Sequence, residues 1–395
     1  MVFIKYLLPA LAASQLAFAD DSCKDVKLES SGDAGKLSSC STISGDLTIN
    51  EAFSGDLNLD GVKKIEGGLI ADKADNVTSI TAPSLTSIGK TFELNGLTKV
   101  TLLKFPELTS VGSIKWEALP KLQSLSFDKG VTKAGDVLIT NTGLNNLDGI
   151  TLKTVQKFEI TDNTDLRKIN INNMQNASNV INFAGNYDGL EIDLPNLGTG
   201  TNITCRNISS ISVPSLEKLT GQLGFWGTKF RTFSAPNLTH TGDLVFNDNS
   251  KLSNISMPQL KKVDGGFTIA RDDKLTSVSL GKLERITGAL DFSGSFDEVS
   301  LSGLKSVDGG FNLQSSHGKF SCQKFDALKD DRQIKGKYTC DASADHPTTS
   351  SGKSGTNGGS GSSGSDNSSN AAVANGANVP VVGIAAVFYA LAQLL

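Results

Sequence analysis

Asp162, Asp165, Asp248, Asp272 and Asp273 each follow a short run of alternating apolar residues. Carboxylates gathered on one strand face of a parallel β-helix can act as acid and base in glycoside cleavage. That chemistry needs two carboxyl groups held across one bond. No two of these five stack at strand-face positions of adjacent repeats; each sits in the turn after its run, where Asp and Asn bond to local backbone. They are expected to be turn residues. The three histidines, His240, His317 and His346, lie among turns or enter a linker, and none stands beside a nucleophile it could activate. Nor do they and the cysteines show the short spacing of a metal site. The stretch GSGSSG at 359–364 fits a dinucleotide-binding pattern, but it lies in a Ser/Gly tract with no strand before it or helix after it. The reading is a chain with no catalytic residue, no metal and no cofactor.

The cysteines suggest covalent clips instead. Cys23 and Cys40 flank the start of the patterned region, and Cys322 and Cys340 flank its end. Four cysteines permit three connectivities; the local loops 23–40 and 322–340 read as two terminal disulfide clips, in keeping with an oxidising compartment. Cys205 stands alone between them.

What must position these residues is a repeat. Between 212 and 278 the chain reads SVPSLEKLTGQLGFWGTKFRTF, SAPNLTHTGDLVFNDNSKLSNI and SMPQLKKVDGGFTIARDDKLTSV, one pattern at a period of 22 or 23 residues. Its constant element is Gly-x-apolar-x-apolar, the alternation of a strand with one buried face. The first apolar residue of each copy runs Leu47, Leu69, Phe92, Ile114, Val137, Phe158, Ile181, Ile203, Leu223, Leu244, Phe267, Leu290, Phe311. Leu57, in GDLNL, is an extra match out of register and is assigned to a shortened first turn.

A coil of this length supplies about three short apolar edges and cannot bury them alone, whereas stacked coils bury them in one column. The fold expected is all-β: a right-handed parallel β-solenoid over 41–320, of leucine-rich-like coils of about 22 residues with disulfide-clipped ends. At about 4.8 Å per coil, a dozen coils span about 60 Å. Proline fixes φ at the corners, and the glycines are expected where other residues avoid the conformation. Cys205, two places after Ile203, points into the column as a small hydrophobe. Trp116 faces inward, while Trp226 faces outward and folds over its own coil. The outward positions Glu93, Lys115, Glu159, Asn182, Thr204, Thr268, Asp291 and Asn312 form a mixed polar sheet, the best candidate for a ligand surface.

A net charge of −4 over 395 residues gives no strong field for nucleic acid. Residues 1–19, MVFIKYLLPALAASQLAFA, end in Ala17-Phe18-Ala19 and read as a signal peptide cleaved before Asp20. At the other end, small residues at Asn370-Ala371-Ala372, a polar spacer and the apolar VPVVGIAAVFYALAQLL fit a glycosylphosphatidylinositol (GPI) attachment signal. Attachment is assigned to Asn370, with Ser369 and Asn367 as alternatives. Secretion makes the Asn-x-Ser/Thr triplets at Asn76, Asn176, Asn202, Asn207, Asn237 and Asn254 candidate glycan acceptors, with a further one at Asn367.

Signal peptide, Cys23 and Cys40 ahead of STISGDLTI, tandem P-x-L-x-x-apolar-x-G coils, Cys322 and Cys340, a Ser/Gly linker and a lipid-attachment tail occur in that order. Together they resemble the fungal GPI-anchored cell-wall organisation proteins built from receptor L-domain-like repeats. The resemblance covers the whole chain. It implies a glycoprotein of plasma membrane and wall, needed for wall integrity, with no catalytic residues to carry over and a wall polysaccharide or mannoprotein as partner. The organisation read from it is a signal peptide over 1–19, L-domain-like halves over 20–175 and 176–340, a linker over 341–370 and a removed tail over 371–395. The halves meet where the pattern weakens, around INNMQNASNV.

Overall fold

The computed structural model describes residues 21–317 and 319–350. The signal peptide, the linker beyond 350, and the tail with Asn370 and Asn367 lie outside the described residues. Period-two alternation becomes a ladder of parallel strands in which the thirteen aligned positions from Leu47 to Phe311 are direct lateral partners, each of the next. Val26 adds a rung before Leu47, and Tyr338 adds one after Phe311. The result is a parallel β-solenoid of about thirteen turns. Pairing continues through 154–206, where the strands Thr154–Thr161, Asn176–Ala184 and Thr199–Arg206 are long, but its register shifts between Val155 and Lys157 and between Ala177 and Val180.

Each coil is built the same way. A strand such as Leu69–Asp72 presents two residues inward; a corner follows, then a second strand such as Asn76–Thr81 on another side. Leu57 belongs to that second side, opposite Ile80, so its extra match marks a different edge of the first coil. The coil closes through the proline motif. In Ala235-Pro236-Asn237-Leu238, for example, the Leu238 N–H donates to the Ala235 carbonyl at 3.2 Å. Proline thus takes the second place of a four-residue turn, where its fixed φ and missing N–H carry no penalty.

The left-handed conformations fall elsewhere. The fourth residue after each aligned position turns the corner in the left-handed region from Lys73 to Arg271. Non-glycine examples are Ala118, Asn141, Asp162, Asn207 and Asp248, at φ from +53° to +61°. Asn and Asp tolerate this region better than other side chains, which is why they recur there.

The repeat's constant glycine has another reason, and this corrects the expectation. Gly221, Gly242, Gly265, Gly288, Gly309 and Gly336 form a column in which each N–H donates to the carbonyl of the preceding glycine, at 2.8 to 3.1 Å beyond the first. Their φ values are not in the left-handed region. A Cβ on Gly288 would lie 2.6 Å from the Gly265 carbonyl group. Close approach of coil to coil, and not unusual φ, selects glycine here.

Inside, apolar side chains stack rung upon rung: Phe92 against Trp116 at 5.5 Å, Phe225 on Phe246 at 5.3 Å, Phe267 against Phe292 at 4.7 Å. Cys205 and Trp116 are both fully buried in this column. Both ends carry a short helix and a disulfide. Cys23 is bonded to Cys40 beside the helix Ser31–Lys36, and Cys322 to Cys340 beside Gln323–Asp330. Cys340 takes the inward place of the last rung opposite Leu313, and Phe325 of the helix packs on Phe311 at 5.1 Å. The clip therefore ties the covering helix to an otherwise open strand edge.

Candidate functional site

The outward face of the main sheet carries its polar residues in columns, and neighbouring rungs satisfy one another. Lys115 donates to Glu93 at 2.8 Å, Thr204 to Asn182 at 2.8 Å, and Asn95 to Asp72 at 2.7 Å. Glu93 beside Lys115 holds that ammonium above its ordinary pKa. A shallow groove of about 240 Å³ lies here, with Leu138 in its lining between the charges of Glu93, Lys115, Asp136, Lys157 and Glu159.

Glu93, Lys115, Glu159, Asn182, Thr204, Thr268 and Asp291 are half-buried along this face. Asn312 differs from the expectation: it is buried, because the segment after the last strand folds back over it. Asn312 Nδ2 donates to the Thr348 carbonyl, and the Thr348 N–H donates to Gln314 Oε1. The polar stretch read as linker from 341 is therefore seated on the sheet as far as Thr348.

Trp226 faces outward and folds back along its own strand, so that a Cβ on Gly224 would meet its ring at 2.2 Å. The Arg206 guanidinium lies 4.5 Å from its ring centre. Glycine at 224 makes room for the indole.

The five aspartates separate. Asp162 and Asp248 occupy left-handed corners, and Asp165 and Asp273 are exposed turn residues. Asp272 opens the turn 272–275, with the Leu275 N–H on its carbonyl at 2.8 Å, but it is 1% exposed, and its Oδ1 accepts the N–H of Asn249 from the preceding coil at 2.6 Å. None of the five lines the groove. Burial pushes the Cys205 thiol far up, so it stays protonated and unreactive. Among the described residues, no group of three or more His, Cys, Asp or Glu side chains is placed to hold a metal ion.

A buried polar ladder escaped the sequence reading. Five places after the aligned residue, four coils carry an inward apolar side chain: Ala74, Leu97, Leu119 and Ile208. Three successive coils instead carry Thr142, Asn163 and Asn186, and three later ones carry Thr228, Asn249 and Asp272, all buried. Asn163 Oδ1 accepts from the Thr142 N–H and hydroxyl, while its Nδ2 donates to the Ile139 and Thr161 carbonyls. Asn249 repeats the arrangement on Thr228 and Phe225. Carrying the alignment five places further would have exposed the Thr/Asn/Asn and Thr/Asn/Asp spacing.

The sequons fall into two groups. Asn76, Asn207, Asn237 and Asn254 are exposed, whereas Asn176 and Asn202 are half-buried. Asn202 Oδ1 accepts the Gln222 N–H at 2.8 Å, as Asp46 accepts Gly68 and Asp243 accepts Gly266 at the same place in other coils.

A family model described as GPI-anchored cell wall organization protein, Ecm33, matches residues 1–38. A BspA-type leucine-rich repeat model matches residues 71–189 and 192–295. The chain is 58% identical over 396 residues to "Protein ecm33" of Aspergillus fumigatus, covering 100% of this chain and 99% of that one. It is 42% identical to a "Cell surface GPI-anchored protein" of Arthroderma benhamiae, over 90% and 91% of the two chains. It is 29% identical to "Cell surface GPI-anchored protein ECM33" of Candida albicans, over 88% and 86%. No solved structure matches the chain.

Proposed function

The chain belongs to the Ecm33 family of GPI-anchored cell-wall organisation proteins of fungi, and from that premise we propose that it works at the cell surface without catalysis, by holding wall components against its sheet. The observation that carries this reading is the match to a relative of that name along essentially its entire length. Three features support a binding role over turnover. The face is long, regular and polar, its side chains are held by their neighbours, and the aspartates that resemble an acid/base set are dispersed into corners, turns and a buried ladder. The partner in this reading is a wall polysaccharide or a mannoprotein. The maturation in this reading removes 1–19 and the tail from 371, with lipid on Asn370, and leaves two L-domain-like halves meeting near 175.

Purified protein lacking the tail, incubated with wall glucans, chitin and mannoproteins, is expected to bind one of them without new reducing ends or a change in chain length. Turnover abolished by Asp162→Asn or Asp248→Asn would overturn the proposal in favour of a glucan-modifying enzyme. A deletion strain with unchanged wall composition and unchanged dye sensitivity would remove the wall role itself.

Glycan occupancy follows the exposure of the acceptors. Peptide mapping by mass spectrometry is expected to find glycans on Asn76, Asn207, Asn237 and Asn254. The Asn202 peptide is expected to be unmodified, because its side chain is half-buried and its Oδ1 is held by the Gln222 N–H of the next coil at 2.8 Å. Asn202→Asp should fold normally, since Asp fills the equivalent place at Asp46, Asp136 and Asp243. A glycan found on Asn202 in the folded protein would contradict this account of its role.

A further inference from the structure

The two buried ladders end differently, and the difference is one atom. Asn186 closes the first: its Oδ1 takes the Asn163 N–H at 3.1 Å and its Nδ2 gives to the Ile160 carbonyl at 2.7 Å. Asp272 closes the second, its Oδ1 taking the Asn249 N–H, but its Oδ2 is buried with no partner.

The missing partner can be identified from the register. Each ladder amide donates to the main-chain carbonyl of the second inward residue of a preceding coil: Asn163 to Ile139, Asn186 to Ile160, Asn249 to Phe225. Ile160 is paired with Phe183 in its sheet, and the same place one ladder later belongs to Phe246, paired with Ile269. An ionised carboxylate would set a second oxygen toward that carbonyl, acceptor against acceptor. A carboxylic acid O–H would meet it as a donor, as the asparagine amide does.

We propose that Asp272 is a proton-operated clasp: protonated, it completes the second ladder between adjacent coils, and ionised, it leaves the ladder open and weakens the stack there. The charged groups acting on it are the carboxylates of Asp248 in the preceding coil and Asp273 in its own turn. Its neighbour Arg271 is exposed, and the next coil brings only the small hydroxyl of Ser295 to the corresponding place. Burial, chiefly, pushes the Asp272 carboxyl up to about 7, the two carboxylates push the same way, and the Asn249 bonds oppose them.

The direction with pH follows. Below about pH 4 folded and unfolded chains both hold the proton; between about 4 and 7 only the folded chain does, so stability falls as pH rises through this window and levels off above it.

The test is the thermal unfolding midpoint of the full glycoprotein from about pH 4 to pH 9, for wild type, Asp272→Asn and Asp272→Ala. Asp272→Asn is expected to match wild type at the acid end and to exceed it by several degrees above neutrality. Asp272→Ala should fall below Asp272→Asn at every pH, because the Asn249 N–H loses its acceptor. The infrared difference between wild type and Asp272→Asn at pH 5 should contain the carbonyl stretch of a protonated carboxylic acid. Parallel midpoint curves for wild type and Asp272→Asn, or no such band, overturn the proposal. So does an Asp272→Asn protein that fails to fold, since the site would then demand a carboxylate.

Discussion

Replacing Asn163 with leucine is expected to remove about 3–5 kcal/mol of folding stability although leucine fills nearly the same space. Asn163 is fully buried and holds two coils at once. The substitution strips the acceptor from the Thr142 N–H and hydroxyl, and the donor from the Ile139 and Thr161 carbonyls. A buried polar group left without a partner costs about 1–3 kcal/mol, whereas the added apolar burial returns about 2 kcal/mol. The unpaired groups outweigh the burial. Thr142→Val removes only the hydroxyl and keeps the N–H bond, so it should cost about 1 kcal/mol. Urea denaturation of the three proteins, compared at equal slope, measures the difference. If Asn163→Leu loses less than about 1 kcal/mol, the ladder does no more than fill space.

That ladder marks the limit of what could be read from the sequence. The main strands were legible because their signal is carried twice, by alternation within a coil and by recurrence between coils. Leu244 and Phe267 are lateral partners because both clues place them there. Cys205 was legible for the same reason, since its inward place is set by Ile203 two residues earlier. Asn163 and Asp272 were not, because a polar residue after a strand is the ordinary sign of a turn, and burial at that place depends on how the next coil covers it. Asn312 was placed on the right face and misjudged in exposure, because the segment that covers it comes from 36 residues further along the chain and has no repeat to announce it. The candidate face was thus legible as a column of residues. Its groove beside Leu138 was not, since it depends on how side chains from successive rungs lean on one another.

The glycine column gives the other large effect. Gly288→Ala is expected to cost several kcal/mol, with a sharp fall in secreted yield, whereas Gly266→Ala in the preceding coil should be tolerated. A Cβ on Gly288 would meet the Gly265 carbonyl carbon and oxygen at 2.6 Å and the Gly266 nitrogen at 2.7 Å. All three are backbone atoms, so no side chain can swing aside, and relief requires the two coils to separate. Separation would lengthen the bond that runs from Gly288 N–H to Gly265, now 2.9 Å. At Gly266 the nearest atom to a new Cβ is the Ala289 oxygen at 3.5 Å, an ordinary contact. Gly35, inside the first helix with nothing within 4 Å of its Cβ position, offers the opposite sign: alanine there should stabilise by about 0.5–1 kcal/mol. The three substitutions are chemically identical, so glycine's backbone entropy alone predicts similar gains for all of them. Thermal midpoints ordered Gly35→Ala, Gly266→Ala, Gly288→Ala, with only the last far below wild type, would show that coil spacing selects the repeat's glycine. A tolerated Gly288→Ala would refute it.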